Sequence, residues 1–162
     1  MKRVLILGAS GTVGSMVFKQ LSYDENLKLT GTYYSTMPED TASMIRFSIE
    51  SPNEIWSVLE QVRPDIVISA LRGDFEKQLA VHENIAEYLM VNNGKMIFLS
   101  TANVFDGNCE RPHYEEDMRI SDSSYGKFKI QCEDLLRNRM GAGQLCLEFP
   151  SSGEKIRQES RQ

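Results

Sequence analysis

Short apolar runs and amphipathic stretches alternate along this chain almost from its first residue. Val4-Leu5-Ile6-Leu7 is apolar at consecutive positions, the mark of a strand buried on both faces. Val13, Met16, Val17 and Leu21 follow at spacings that put them on one side of a helix. The pattern then repeats, with strands predicted over 28–34, 44–49, 65–70, 95–100 and 144–149, and helices over 52–62, 75–91 and 123–139. Strands separated by helices pair in parallel rather than as hairpins. The expected fold class is therefore α/β, a doubly wound parallel sheet of the Rossmann type with about six strands and helices on both faces. Residues 1–150 make one domain, and the polar stretch 151–162 reads as a frayed tail. The charged, turn-rich stretch 106–122 is the longest connection and is expected to border the site.

Composition narrows the function classes. The 162 residues, 41% hydrophobic and 25% charged, suit one ordinary globular domain. A net charge of −5 argues against a nucleic-acid partner. Lys2-Arg3 before an apolar run has the look of a signal peptide, yet the run ends at Ser10-Gly11 and reads instead as a first strand. No run approaches the ~20 apolar residues that span a bilayer, so no membrane partner is expected. Cys109, Cys132 and Cys146 are odd in number and widely spaced, which suggests reduced thiols and a cytoplasmic location. With His82 and His113 the only histidines, no metal site is expected.

Three segments carry chemistry. Gly8-Ala9-Ser10-Gly11-Thr12-Val13-Gly14 lies between a strand and a helix. There glycines allow a tight turn and close approach of backbone N–H groups to a pyrophosphate at a helix N-terminus. Any strand-to-helix turn can also use glycines, so this motif alone is not decisive. Ser100-Thr101 ends the fifth predicted strand and faces the same crevice, because ligands gather beyond the carboxyl ends of parallel strands. Tyr125 and Lys129, four apart, share one helix face. A free phenol titrates near ~10, and a neighbouring ammonium lowers that value, making the phenol a better acid toward a developing alkoxide. A Thr101 hydroxyl can hold the carbonyl oxygen where charge grows. Taken singly, Tyr125 and Lys129 read as an amphipathic pair and Thr101 as a strand-end hydroxyl. Their order behind a glycine loop points to a nicotinamide-dependent reductase.

At these residues the chain resembles the extended short-chain dehydrogenase/reductases, and within them the dTDP-4-dehydrorhamnose reductase branch. The resemblance covers roughly residues 1–150, and Ser100-Thr101-Ala102-Asn103-Val104-Phe105-Asp106-Gly107 is its most discriminating segment. It implies Thr101, Tyr125 and Lys129 as catalytic residues. It also implies a cofactor site made of Gly8, Ser10, Gly11, Thr12, Val13, Gly14, Tyr33, Ser35, Ala70, Leu71, Arg72 and Ser100, with Tyr125 and Lys129. The implied reaction is hydride transfer from the nicotinamide to a 4-keto group of a nucleotide-linked sugar, with Tyr125 as proton donor. Homodimerisation through the helices 75–91 and 123–139 is implied as well, although most of their apolar residues (Leu79, Ile85, Leu89, Ile130, Leu135, Leu136) should face the sheet. Two departures stand out. His82 stands where members place an asparagine, either orienting Lys129 or a water, or as a partly exposed helix residue. Members also continue past the sixth strand into a sugar-nucleotide-binding domain, whereas this sequence stops at Gln162.

Cofactor choice is read at the end of the second strand. Thr32-Tyr33-Tyr34-Ser35-Thr36 offers hydroxyls and no carboxylate to repel a 2′-phosphate, which favours NADP(H) over NAD(H), unless these residues simply finish a strand. Arg72 either contacts the adenine end of the cofactor or, the preferred reading, is a solvated loop charge. Besides the sugar-nucleotide reductase, two alternatives stand: a dinucleotide-binding regulatory or scaffold protein without turnover, and a reductase or epimerase of another, smaller carbonyl compound.

Overall fold

A computed structural model of the chain describes residues 1–36, 38–39, 42–107, 113–114, 116–141 and 143–148. Strand β1 (Lys2–Leu7) leads into helix α1 (Thr12–Leu21), followed by β2 (Leu27–Tyr33) and β3 (Met44–Arg46). A 3₁₀ turn at Pro52–Glu54 opens α2 (Ile55–Val62), and β4 (Ile66–Ser69), α3 (Phe75–Val91) and β5 (Lys95–Leu99) follow. A second 3₁₀ turn (Ala102–Phe105), α4 (Ser124–Arg139) and β6 (Leu145–Glu148) complete the order. All pairings are parallel, in the order β3-β2-β1-β4-β5-β6. The fold class expected from the alternation is the one observed.

The centre of the sheet explains the apolar runs. β1 lies between β2 and β4, so both its faces are covered: Val4 and Ile6 pack on one side with Val17, Phe18 and Leu21 of α1, and Leu5 and Leu7 pack on the other with α2, α3 and α4. Each fully buried Leu or Ile contributes about 1.5–3 kcal/mol. The helical face expected of α1 is corrected by one step. Val17 and Leu21 pack inward together with Phe18, while Val13 and Met16 are 42% and 66% exposed, since α1 is the one described helix packed on that face.

Element ends follow local chemistry. Asp74 caps α3 by accepting from Lys77 N at 3.0 Å, and Ser123 caps α4 by accepting from Gly126 N at 3.0 Å. Arg63 takes a left-handed φ of 49° at the end of α2, and Pro64 prevents its continuation. β3 is shorter than the predicted 44–49: it ends at Arg46, and the chain then turns through Ser48, whose carbonyl accepts from Ser51 N. The predicted tail 151–162 and Cys109 lie outside the described residues, as do residues 108–112 and 115 of the connection 106–122. Among the described residues no helix is long and apolar enough to cross a membrane, and no cluster of metal-ligating side chains is found.

Candidate active site

The strand order turns back between β1 and β4, so the loops after these strands diverge and leave a crevice at their carboxyl ends. Three glycines shape its floor, each for a different reason. Gly8 has φ +74° and passes so close to β4 that a Cβ would sit 2.5 Å from Ala70 O. Gly14 is buried under the same loop, where a Cβ would lie 2.1 Å from Gly8 O. Gly11, the N-cap of α1, has no such crowding: its nearest neighbour would be Gly8 O at 3.3 Å. Gly8 and Gly14 let the loop fold against the sheet, whereas Gly11 leaves open space at the helix N-terminus, the cradle a pyrophosphate needs. Thr32 holds the loop from β2, its Oγ1 accepting from Gly8 N at 3.0 Å and its carbonyl from Ala9 N at 2.9 Å.

From this loop a cavity of about 300 Å³ runs along Gly8, Ser10, Gly11, Tyr33, Tyr34, Phe47 to Glu50, Ala70, Leu71 and Arg72. A second recess of about 310 Å³ is lined by Leu71, Arg72, Gly73, Phe75, Gln78 and Tyr125. Residues 71–73 border both, so one crevice leads from the glycine loop to the tyrosine. Arg72 is an exposed loop residue, as the sequence reading preferred, and it also lines both chambers. Of the other expected cofactor residues, Thr12 and Val13 are exposed on the first turn of α1, Ser35 is exposed beyond β2, and neither cavity includes them.

The three expected catalytic side chains stand just after β5 (Thr101) and on α4 (Tyr125, Lys129). Thr101 caps the 3₁₀ turn, accepting from Asn103 N at 3.3 Å, which leaves its own proton free to donate. The first turn of α4 presses on that 3₁₀ turn at Gly126, where a Cβ would fall 2.5 Å from Asn103 O and 1.9 Å from Ser121 Oγ. That approach sets Tyr125 beside the segment that carries Thr101. Asp106 locks the arrangement by accepting from Ser121 Oγ at 2.7 Å, Asp122 N at 3.0 Å and Ser123 Oγ at 3.1 Å. The Ser121 bond, first among these, holds its carboxyl below the usual range.

Tyr125 is 42% exposed, and Phe75 lies 6.4 Å from its ring while stacking on Phe128 at 4.4 Å. Partial burial raises its phenol above the ordinary value, and the Arg72 charge pulls the other way. Lys129 holds a different place from the one expected. Its Nζ donates to Leu99 O at 2.9 Å and lies 4.6 Å from the Phe98 ring centre and 5.7 Å from that of Tyr125. Burial lowers the ammonium's pKa. The lysine is thus tied to the backbone of β5 rather than to the phenol oxygen, and Arg72 is the cation that pulls the phenol down.

Two buried networks behind the site escaped the sequence reading. Ser100 does not face the crevice: it is buried, and its hydroxyl donates to Glu133 Oε1. Glu133 is 0% exposed and also accepts from Arg119 Nη1 at 2.8 Å, while Arg119 Nη2 donates to Asp134 at 2.6 Å. The only available signal was the spacing of Tyr125, Lys129 and Glu133, four apart on one helix face. His82 is not partly exposed but 1% exposed, its Nε2 2.7 Å from Ser69 Oγ and its Nδ1 2.6 Å from Gln78 O. Burial pushes its pKa down to about 4, so the ring is neutral at pH 7; Nδ1–H donates to the carbonyl and Nε2 accepts from the hydroxyl. Its edge meets Phe98, and Phe98 in turn underlies Lys129.

Comparison with known proteins agrees with this architecture. Methionine adenosyltransferase 2 subunit beta of Rattus norvegicus is 27% identical over 154 residues, covering 89% of this chain and 46% of that protein. The dTDP-4-dehydrorhamnose reductase of Aggregatibacter actinomycetemcomitans is 25% identical over 148 residues, covering 84% and 47%. The Bordetella bronchiseptica enzyme WbmH, solved in complex with NAD+, superposes with a TM-score of 0.74 at 21% identity, covering 92% of this chain and 55% of that one. The chain thus spans about half the length of the curated relatives it matches. Residues 4–147 match the family described as NAD dependent epimerase/dehydratase, and the chain with its six-stranded parallel sheet belongs to that family.

Proposed function

We propose that this chain binds NADP(H) in preference to NAD(H) and reduces a 4-keto group of a nucleotide-linked sugar, with Tyr125 as proton donor. The observation that carries this reading is the single crevice joining the glycine loop to Tyr125 through residues 71–73. The residues fit a dinucleotide: Gly11 leaves the space a pyrophosphate fills, and the cavity beyond it ends at hydroxyl-bearing Tyr33 and Tyr34. When bound, the nicotinamide supplies the hydride. The protein's part is the proton and its placement. A phenol raised by burial is protonated at neutral pH and stands ready to donate to the substrate oxygen. Thr101 donates a second hydrogen bond to that oxygen. Lys129 fixes the end of β5 on which Thr101 depends, and Arg72 offsets the phenolate that remains. The likeness to a dTDP-4-dehydrorhamnose reductase supports the sugar-nucleotide substrate class.

A second reading is favoured by one specific observation, the likeness to a protein named as a subunit of methionine adenosyltransferase 2. It is a dinucleotide-binding regulatory or scaffold role without turnover. A smaller carbonyl substrate remains a variant of the first reading, and a self-pairing surface is expected on α3 and α4; Met90 and Val91 of α3 are exposed. Calorimetric titration with NADPH and NADH, followed by dTDP-4-keto sugar with the reduced nicotinamide monitored by absorbance, separates the readings. Binding with turnover supports the reductase, and binding without turnover supports the subunit role. Failure of both dinucleotides to bind refutes both.

A further inference from the structure

We infer that Gln78, on α3, determines substrate specificity: its side-chain oxygen accepts from a hydroxyl that the carbonyl substrate carries into the recess at Tyr125. The inference rests on the reductase reading above and narrows its substrate class to hydroxycarbonyl compounds. Gln78 is only 3% exposed, yet it lines that recess together with Leu71, Arg72, Gly73, Phe75 and Tyr125. Its Nε2 donates to Gly73 O at 2.8 Å. A carbonyl accepts and cannot donate, so this bond fixes which way the amide points, nitrogen toward Gly73 and oxygen away from it. The backbone of α3 holds the residue in place as well: Gln78 N donates to Asp74 O at 3.0 Å, and Gln78 O accepts from His82 Nδ1 at 2.6 Å.

The amide oxygen accepts from no group among the described residues. No side-chain oxygen or nitrogen among those residues is both sealed from solvent and unpaired, so Oε1 opens onto the recess that Gln78 lines. The neighbouring groups do not duplicate it. Leu71 and Phe75 are apolar, the Arg72 guanidinium only donates, and Tyr125 is the proton donor of the reductase reading. The Gly73 carbonyl already accepts from Gln78 Nε2. The recess therefore presents donors to an oxygen that gathers charge and one oriented acceptor to a hydroxyl. A ligand that satisfies both carries a carbonyl with a hydroxyl near it. Burial makes the match matter: an acceptor so far withdrawn from water loses its bond when the hydroxyl is missing, and a site built around a substrate hydroxyl discriminates against the analogue without it.

Turnover by the full chain of a dTDP-4-keto-6-deoxy sugar, set against its 2-deoxy and 3-deoxy counterparts, tests this on the wild type. One of the two deoxy compounds is expected to lose roughly tenfold to a hundredfold in kcat/KM, the scale of a buried acceptor left unpaired. Gln78→Met keeps the length of the side chain and removes the acceptor. It should bring that ratio close to one by slowing the hydroxylated substrate alone, with NADPH and NADH affinities unchanged in calorimetry. The same variant gives up the bond to Gly73 O, so its Tm should fall by a few degrees. Gln78→Glu, which keeps an acceptor oxygen, should retain most of the discrimination. Ratios near one for both deoxy compounds in the wild type overturn the assignment whatever the variants do. A ratio that survives in folded Gln78→Met overturns it too, and so does a Gln78→Met that weakens dinucleotide binding while leaving the ratio alone, since Oε1 would then serve the cofactor. Dinucleotide binding without turnover of any of the three sugars fails the reductase reading itself, and this assignment with it.

Discussion

The two ends of the crevice are built in opposite ways. At the β1–β2 end, backbone and small residues make the site: Gly8, Gly11 and Gly14 shape a loop that Thr32 pins, and the wall beyond is open cavity. At the β5–α4 end, buried charged and polar side chains make it: Lys129 on Leu99 O, Glu133 between Ser100 and Arg119, and neutral His82 under Phe98. Volume is the vulnerable quantity at the first end, and charge at the second. A binding cradle needs space and N–H groups, which glycine provides without side-chain cost. A proton-transfer site needs groups held in fixed orientation, which takes buried bonds that cost heavily when half-broken.

Glycine substitutions give the largest expected effects and separate folding from binding within one loop. Gly14→Val forces a side chain onto Gly8 O, 2.1 Å from even its first carbon, and should lose more than about 3 kcal/mol or yield no folded protein in thermal melts. Gly11→Val meets only one atom, at 3.3 Å. Its stability should fall by no more than about 1 kcal/mol, while dinucleotide affinity drops by roughly a hundredfold or more in calorimetry. Equal behaviour of the two variants would erase the distinction drawn between them.

At the other end, Tyr125→Phe removes the proton donor and keeps the ring beside Phe75. Turnover should fall on the order of 10²- to 10⁴-fold with cofactor affinity unchanged; undiminished turnover would end the assigned role. Glu133→Leu strips Ser100 of its acceptor and leaves Arg119 with Asp134 alone, and should cost about 3 kcal/mol in urea unfolding. Asp134→Asn, removing the 52%-exposed partner of the same arginine, should cost less than about 1 kcal/mol. Matching losses would show that burial is not what distinguishes the two carboxylates.

A further effect is in pH. His82 has a folded pKa near 4, below the unfolded value of about 6.5, so the unfolded chain binds more protons between these limits. Its contribution is fully present above pH ~6.5 and is lost as pH falls toward 4, amounting to about 2 kcal/mol by pH 5. Comparing urea midpoints of the wild type and His82→Gln at pH 7 and pH 5 isolates it. The wild type should lose more between the two, and identical losses would remove His82 from the account.

Legibility followed the same divide. The glycine loop, α3 at Phe75–Val91 and α4 were readable because each is specified by neighbours within a few residues: turn glycines, helical periodicity and the Asp74 and Ser123 caps. Tyr125 and Lys129 were readable as one helix face, yet the mutual arrangement expected of them was not, because Lys129 reaches back 30 residues to the Leu99 carbonyl. Ser100 was read as facing the crevice because it ends the fifth strand, but a strand end places adjacent side chains on opposite faces, and the one at 100 turns inward to Glu133. As a polar residue, His82 gave no hint of burial; the Ser69 hydroxyl and Gln78 carbonyl that make burial tolerable are brought to it by packing and by the helix.

By itself, then, the sequence determined the alternating topology, the parallel sheet and the cradle, since periodicity and turn chemistry act locally and admit few arrangements of such elements. Only the tertiary structure decided which charges meet: Arg46 over Tyr34 through the β2–β3 register, Arg119 on Glu133, and Arg72 between the two chambers. Those pairings follow from which strands are neighbours and how α4 seats on β5. Both are settled by burial of the whole core rather than by any segment's own preference.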